Sequence, residues 1–295
     1  MKIGIDLGGS HIAVGVITED GRLLAKQEKN INFIDIEKNE IKDEIRDSML
    51  SLINHVLRSI QIPSFVIEEI GIGVPGVVED NYIRKIEKYN IYDWDLKKDL
   101  ENYFDVPVKI SNDALCSAKA EIKYGNLKDV NNGVFLCIGT GIGGVTILNH
   151  EIITSEFGHM IIQKEGKRCH CGRKGCFETY ASMKCFKDGI IDLFNLNEET
   201  SSEEIHKLLI KEKDNIKIDE YIDSYIDNLI IGIANIINIL NPEKICIGGG
   251  FTYYEDILYQ RLLEKLLIIN CQFDKPEIVL AKFKNDAGII GATLD

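Results

Sequence analysis

Three cysteines fall within eight residues in Cys169-His170-Cys171-Gly172-Arg173-Lys174-Gly175-Cys176, and His159 stands ten residues upstream. Three thiolates and one imidazole make a closed tetrahedral zinc site, structural rather than catalytic because no position stays open for water. The alternative is three free thiols met by chance. His170 is a rival ligand, but between two cysteines it would bind from a strained position. Glu156 and Glu178 flank the cluster. Carboxylates fixed there are good acceptors for sugar hydroxyls, although most glutamates are simply solvated. Cys116, Cys137, Cys185, Cys246 and Cys271 sit mostly in apolar runs and read as small buried hydrophobes.

Glycine-rich turns follow short apolar runs at Gly8-Gly9, Gly139 to Gly144 and Gly248 to Gly250. Backbone N–H groups in such turns can cradle phosphate oxygens, because glycine permits close approach. Tight turns without a ligand are the alternative for any one of them. Gly139-x-Gly141-x-x-Gly144 and Gly71-x-Gly73-x-x-Gly76 both fit the dinucleotide fingerprint. That fingerprint needs a helix directly after the loop. Val145 to Leu148 reads as strand and Pro75 interrupts the other match, which argues against it. No G-x-x-x-x-G-K-[ST] is present. Asp6, just before Gly8-Gly9-Ser10, could hold Mg²⁺ through water while the glycines meet phosphate, or could close an Asx turn. Asp113 stands in Ser111-Asn112-Asp113, between a strand and a helix. It could accept a proton from a substrate hydroxyl, or cap the helix.

The elements that must position these residues alternate between strand and helix. Strands are expected at Lys2 to Asp6, Ile12 to Ile17, Arg22 to Lys29, Ile70 to Val74, Val106 to Ile110, Val134 to Ile138, Val145 to Leu148, Lys244 to Ile247 and Glu277 to Ala281. Helical spacing of apolar residues marks Ile41 to Ile60, Ala114 to Tyr124, Ile222 to Leu240 and Gly288 to Ala292. The acidic segment between Glu198 and Glu220 reads as surface helix. A strand running into a glycine tip and returning as a second strand occurs twice, which suggests two similar α/β halves, each giving a loop to one cleft.

With 295 residues the chain can bury a core without staples. The charge sum of −13 disfavours nucleic acid, a polyanion. No signal peptide is visible, and the most apolar stretch, Leu229 to Leu240, is short of the roughly 20 residues of a bilayer span. The expected location is the cytoplasm, with no membrane partner, where clustered thiols are metal ligands before they are disulfides.

Taken together the motifs resemble the ROK family of bacterial sugar kinases and related repressors, over nearly the whole chain. Asp6-Leu7-Gly8-Gly9-Ser10 is similar to its first phosphate loop, where Thr is commoner at the Ser10 position. Gly73-Val74-Pro75-Gly76 resembles its sugar-side turn, and Asn112-Asp113-Ala114 its catalytic segment. Gly139-Thr140-Gly141-Ile142-Gly143-Gly144 resembles its second phosphate loop. Glu156-Phe157-Gly158-His159 resembles its E-x-G-H, and Cys169 to Glu178 its zinc motif with a terminal sugar-binding glutamate. Two features depart from the family: Ser155 replaces a glycine, and the turn Asn149-His150-Glu151 lacks the usual glycines.

The resemblance implies an α/β protein of the actin/hexokinase-like ATPase fold, with two α/β domains around a cleft. The expected domains are 1–112, with the final helix 286–295 packing back on it, and 113–285 with the zinc motif. It implies Asp113 as general base, with Gly73, Asn112, Asp113, Glu156, His159 and Glu178 on the sugar. ATP falls to Asp6, Gly8, Gly9, Ser10, Gly139, Thr140, Gly141, Gly143, Gly249 and Gly250. Zinc falls to His159, Cys169, Cys171 and Cys176. The implied cofactors are ATP, Mg²⁺ and Zn²⁺. The implied activity is phosphorylation of a hexose, glucose first, with N-acetylmannosamine or N-acetylglucosamine as alternatives and a homodimer as the assembly. A non-enzymatic sugar sensor or repressor is the rival class. Such members carry a helix-turn-helix ahead of the first phosphate loop, which here begins at Asp6.

Overall fold

The computed structural model describes residues 1–9, 11–31, 37, 40–268 and 273–295. Ser10 and Cys271 lie outside the described residues. The chain forms two compact units, Met1–Lys128 with Asn285–Asp295, and Asp129–Lys284.

The first unit contains β1 (Lys2–Leu7), β2 (His11–Ile17), β3 (Leu23–Asn30), α1 (Ile41–Ser59), β4 (Glu69–Val74), β5 (Val77–Glu79), β6 (Tyr82–Ile86), β7 (Ile91–Trp94), α2 (Leu96–Phe104), β8 (Val108–Asn112) and α3 (Asp113–Tyr124). Its main sheet runs β3-β2-β1-β4-β8. The first three strands are an antiparallel meander, and β4 and β8 continue parallel to β1. Such parallel pairs need crossovers, which α1 and α2 help supply. α1 buries Ile41, Ile45, Met49, Leu52, Ile53 and Val56, one stripe at helical spacing, with Ile3, Ile5 and Val14 in the same core. β5, β6 and β7 form a separate small sheet.

The second unit contains β9 (Gly133–Ile138), β10 (Ile142–Leu148), β11 (Glu151–Ser155), α4 (Glu178–Ala181), α5 (Met183–Phe194), α6 (Ser202–Lys211), α7 (Ile216–Leu240), β12 (Lys244–Gly248), α8 (Glu255–Ile268) and β13 (Glu277–Leu280). Its sheet runs β11-β10-β9-β12-β13, again a meander followed by two parallel strands. The repeated strand order is the duplication that the glycine-tipped hairpins suggest. The acidic segment 198–220 forms α6, opened by a Ser201–Glu204 capping box, and the start of α7. α7 begins at Ile216, ahead of the expected Ile222, because the Asn215 side chain caps it. By length and composition α7 could cross a membrane, but Ile222, Ile226, Leu229, Ile233 and Ile237 are core residues of this unit.

α9 (Ala287–Ala292) returns to the first unit and packs on α3, β1 and β4. The approach is close: a Cβ on Gly4 would lie 2.0 Å from the Ile289 carbonyl oxygen, and one on Gly71 1.8 Å from that of Ala292. This packing also moves the expected boundary. α3 belongs with the first unit, so the division falls at Lys128/Asp129 rather than at 112/113.

Candidate functional site

In the first unit, register places Asp6 of β1 beside Gly73 of β4, and Gly73 beside Ser111 of β8. All three stand at the carboxyl ends of parallel strands, the edge where open α/β sheets gather ligands. Asp113 follows as the first residue of α3. Capping falls to its neighbour: Asn112 Oδ1 accepts from Ala114 N at 3.0 Å and Leu115 N at 3.2 Å. Asn112 Nδ2 donates to the Gly76 carbonyl at 3.1 Å, tying the Asn112-Asp113 segment to the Gly73–Gly76 turn. The Asp113 carboxylate, relieved of capping, accepts a short-range bond from Ala114 N at 2.8 Å and otherwise meets its own backbone N–H.

Burial pushes the Asp113 carboxyl up to about 6, against the pull of the Ala114 N–H. Asp6 is pushed up to about 7, first by burial and then by the charge of Asp113, with Lys26 opposing. A pair of enclosed carboxylates with a distant lysine is an environment that a divalent cation relieves, so Asp6 fits the expected metal role. Asp6 also carries a stability prediction. The folded state holds a proton that the unfolded chain, at 3.8, has released. The penalty for burying this group is therefore absent below that value, grows as pH rises from there to about 7, and is constant above. Asp6→Asn is expected to stabilise the chain by on the order of 2–4 kcal/mol at pH 8, and by almost nothing near pH 4. Urea unfolding of both forms at both pH values, without added divalent cation, checks this. An equal gain at the two pH values contradicts it.

Gly8 and Gly9 follow β1 in the turn to β2. Gly8 N donates to the His11 carbonyl at 2.9 Å, so this amide fixes the turn and is not offered to a ligand. The His11 ring lies over Gly8, with Nε2 3.9 Å from Asp6 Oδ2. Burial holds His11 below its ordinary value, which favours the neutral imidazole beside the loop. Its place two residues after the glycine pair was the available sequence signal.

In the second unit β10 begins at Ile142, so the second glycine turn is the tight loop Gly139-Thr140-Gly141. Gly143, expected in the loop, pairs with Cys137 inside the hairpin. Gly139 N donates to the Gly141 carbonyl at 2.9 Å, and Met183 N donates to the Gly139 carbonyl at 2.9 Å. β12 is parallel to β9, and this brings the third glycine run alongside: Gly248 pairs with Cys137, and a Cβ on Gly249 would lie 2.8 Å from the Ile138 carbonyl oxygen. Gly249 has φ +74°, a conformation that favours glycine. Gly250 faces Met183.

The Cys-rich segment is anchored by Phe177, whose ring lies against Gly232 of α7. His159, Cys169, Cys171 and Cys176 bring their donor atoms within 4.8 Å of one another. Cys169 Sγ lies 3.7 Å from His159 Nδ1, and Cys171 Sγ 3.6 Å from Cys176 Sγ. Zinc bonds of about 2.0–2.3 Å at tetrahedral angles set donors roughly 3.3–3.8 Å apart. The donor set therefore fits zinc. Arg173 beside Cys171 holds that thiol down to about 6, favouring thiolate.

Glu178 is turned toward the cluster. Its Oε1 lies 3.0 Å from Cys169 Sγ, 3.1 Å from His170 Nδ1 and 3.6 Å from His159 Nδ1. Its other oxygen faces the Gly139–Gly141 turn, since a Cβ on Gly141 would lie 2.6 Å from Glu178 Oε2. His170 thus reaches Glu178 rather than standing wholly apart. Glu156 is exposed, 4.0 Å from His159 Nε2. Ser155 Oγ pairs with Thr146 Oγ1 at 2.8 Å, locking the hydroxyl that stands where the family has glycine. The β10–β11 turn is made without glycine because Asn149 and His150 both take positive φ, 51° and 66°.

A glucokinase from Thermotoga maritima is 28% identical over 98% of this chain and 95% of its own length. A xylose repressor from Bacillus spizizenii is 32% identical over 84% of this chain, which spans 64% of that protein. A ROK family glucokinase from Streptomyces griseus, solved with glucose and AMPPNP, aligns with a TM-score of 0.81 at 22% identity, covering 99% of this chain and 97% of that one. The architecture is thus the hexokinase-like ATPase fold. With residues 2–294 matching the ROK family, this chain belongs to it.

Proposed function

We propose that the chain is an ATP-dependent hexose kinase, with glucose as the first candidate substrate. The observation that carries this is Asp113, an enclosed carboxylate at a strand's carboxyl end, freed from capping by Asn112. Asp113 accepts the proton of the attacking hydroxyl, most simply that on C6. The oxygen then attacks the γ-phosphorus in line, and ADP leaves with the bridging oxygen's electrons. A pKa of about 6 leaves the base largely ionised at neutral pH while basic enough to act. Gly73, Asn112, Glu156, His159 and Glu178 are the sugar ligands of this reading. Gly9, Thr140, Gly141 and the Gly249–Gly250 turn are its phosphate and adenosine contacts, and Ser10 falls outside the described residues. Gly8 and Gly143 serve these turns as backbone fixtures, while Gly139, whose Cα faces open space, is a further nucleotide contact of this reading. Magnesium, held through Asp6, supplies neutralisation of phosphate charge. Zinc on the four-donor cluster shapes the segment that carries His159 and Glu178. The reading carries with it a cytoplasmic location and a homodimer.

The test is ADP release with glucose, N-acetylglucosamine, N-acetylmannosamine, allose and fructose. Glucose is expected to give the highest kcat/KM. The repressor reading is favoured by the similarity to the xylose repressor. Sugar binding without ADP release for any of the five would support that reading and overturn ours.

Gly139 offers a clean probe of the nucleotide side. A Cβ there meets nothing within 4 Å, so Gly139→Ala leaves the local structure intact. Its expected effect is about tenfold weaker ATP with sugar affinity retained, roughly 1.4 kcal/mol. Calorimetry with each ligand separately reads this out; weakened sugar and unchanged ATP would reverse the two assignments. Gly141→Val is a poorer probe because its side chain would strike Glu178.

A further inference from the structure

The 3₁₀ turn Glu87–Tyr89 joins β6 to β7 in the small sheet and ends on Asn90, at φ 53°. Tyr89 is buried, and its hydroxyl donates to the carbonyl of Gly8 at 2.5 Å. Burial and the charges of Asp113 and Asp6 hold the phenol well above its ordinary value, so it stays a donor. The N–H of the same glycine donates to the His11 carbonyl. The His11 ring closes the remaining face, since a Cβ on Gly8 would lie 2.5 Å from its Cε1. Gly8 is buried and bonded at both its N–H and its carbonyl, while Gly9 beside it is partly exposed.

A Gly-Gly turn is the costliest kind of backbone to order, because glycine loses the most freedom. A ligand that must order such a turn on arrival binds correspondingly weakly, whereas a turn already held binds without that loss. We propose that Tyr89 is a positioning residue for the first phosphate loop, its hydroxyl holding Gly8 so that the exposed side of the turn is set before the phosphate donor arrives. Tyr89 acts through Gly8 and touches no reacting atom. The identity of the ligand as a phosphate donor rests on the kinase reading; the restraint itself does not.

Tyr89→Phe keeps the ring and its burial and removes the hydroxyl. Two readouts on the full chain test the proposal. Without ligand, amide exchange in the segment Leu7–Ile12 is expected to speed by about three- to tenfold, the loss of one hydrogen bond, with β4 amides unchanged. In the kinase assay, KM for ATP is expected to rise by about three- to tenfold, with KM for sugar and kcat within twofold. Unchanged exchange together with unchanged KM for ATP overturns the proposal. So does a lowered melting temperature with KM for ATP unchanged, because a merely structural tyrosine would behave that way. If the wild type phosphorylates none of the five sugars, the kinase reading fails by itself. The exchange experiment then decides the restraint alone: faster exchange supports it and unchanged exchange overturns it.

Discussion

Asp113→Asn is expected to lower turnover by about 10²–10⁴-fold while sugar affinity changes far less. The substitution is nearly silent structurally. The helix cap is Asn112, and the bond from Ala114 N to Asp113 Oδ1 can pass to the amide oxygen of the new side chain. What disappears is the proton acceptor. The wild type should also show an acid limb in kcat/KM. Asp113 and Asp6, pushed up to about 6 and about 7, influence one another, so the limb reports the pair with apparent values in that range. Activity falls as pH drops through it, because the protonated base cannot accept. In the Asn variant the residual rate should lose the part of that limb due to Asp113. Near-normal turnover in the Asn variant would remove Asp113 from the reaction.

The second large effect concerns the metal. Elemental analysis of the purified chain is expected to give about one zinc per chain. Between His159 and Glu178 the backbone has little regular structure, only the isolated bridges Ile161–Cys176 and Arg168–Lys174 among the described residues. Backbone bonds such as Ile162 N to Gly175 O and Cys169 N to Arg173 O hold short stretches of it, and zinc on the four donors would tie these together. Apparent binding energies of structural zinc reach about 10–16 kcal/mol, so removing a ligand should release the segment. Cys176→Ser or chelation is expected to raise KM for sugar by about tenfold or more and to open the segment to proteolysis. ATP affinity should fall less. It should not be untouched, because Glu178 lies between the cluster and Gly141. Metal-free wild type with full activity would exclude both the site and its role.

Much of this arrangement was legible in the sequence because it rests on local signals. Apolar runs ending in glycine marked the strands whose tips carry the loops, and the Cys-x-Cys-x₄-Cys spacing marked the donor cluster. Other parts depend on contacts far apart in the chain. Tyr89 meets Gly8 through a small sheet whose strands are as short as Val77–Glu79, and Tyr82–Ile86 mixes Arg84 and Lys85 into its pattern. No periodicity announces such strands. Ser, Asn and Asp in a row do announce a helix start, but only geometry shows that Asn112 is the cap and Asp113 the residue left over. Likewise Glu178 reads as a sugar acceptor beside a zinc motif, while its contact with Gly141 appears only when β9, β10 and α4 are packed. The domain boundary was misplaced because α3 starts at a natural break, the end of β8, yet its partner α9 lies more than 150 residues further on.

That last pairing has a consequence for synthesis. Residues 129–284 form one uninterrupted unit and can complete their fold as soon as they leave the ribosome. The first unit is translated earlier but finished later. The faces of β1 and β4 that receive α9, opened by Gly4 and Gly71, stay bare until residues 285–295 emerge. Ribosome-bound chains would thus carry Asp6 and Asp113 on an unsealed sheet, and the two carboxylates would reach their final setting only once residues 285–295 have emerged.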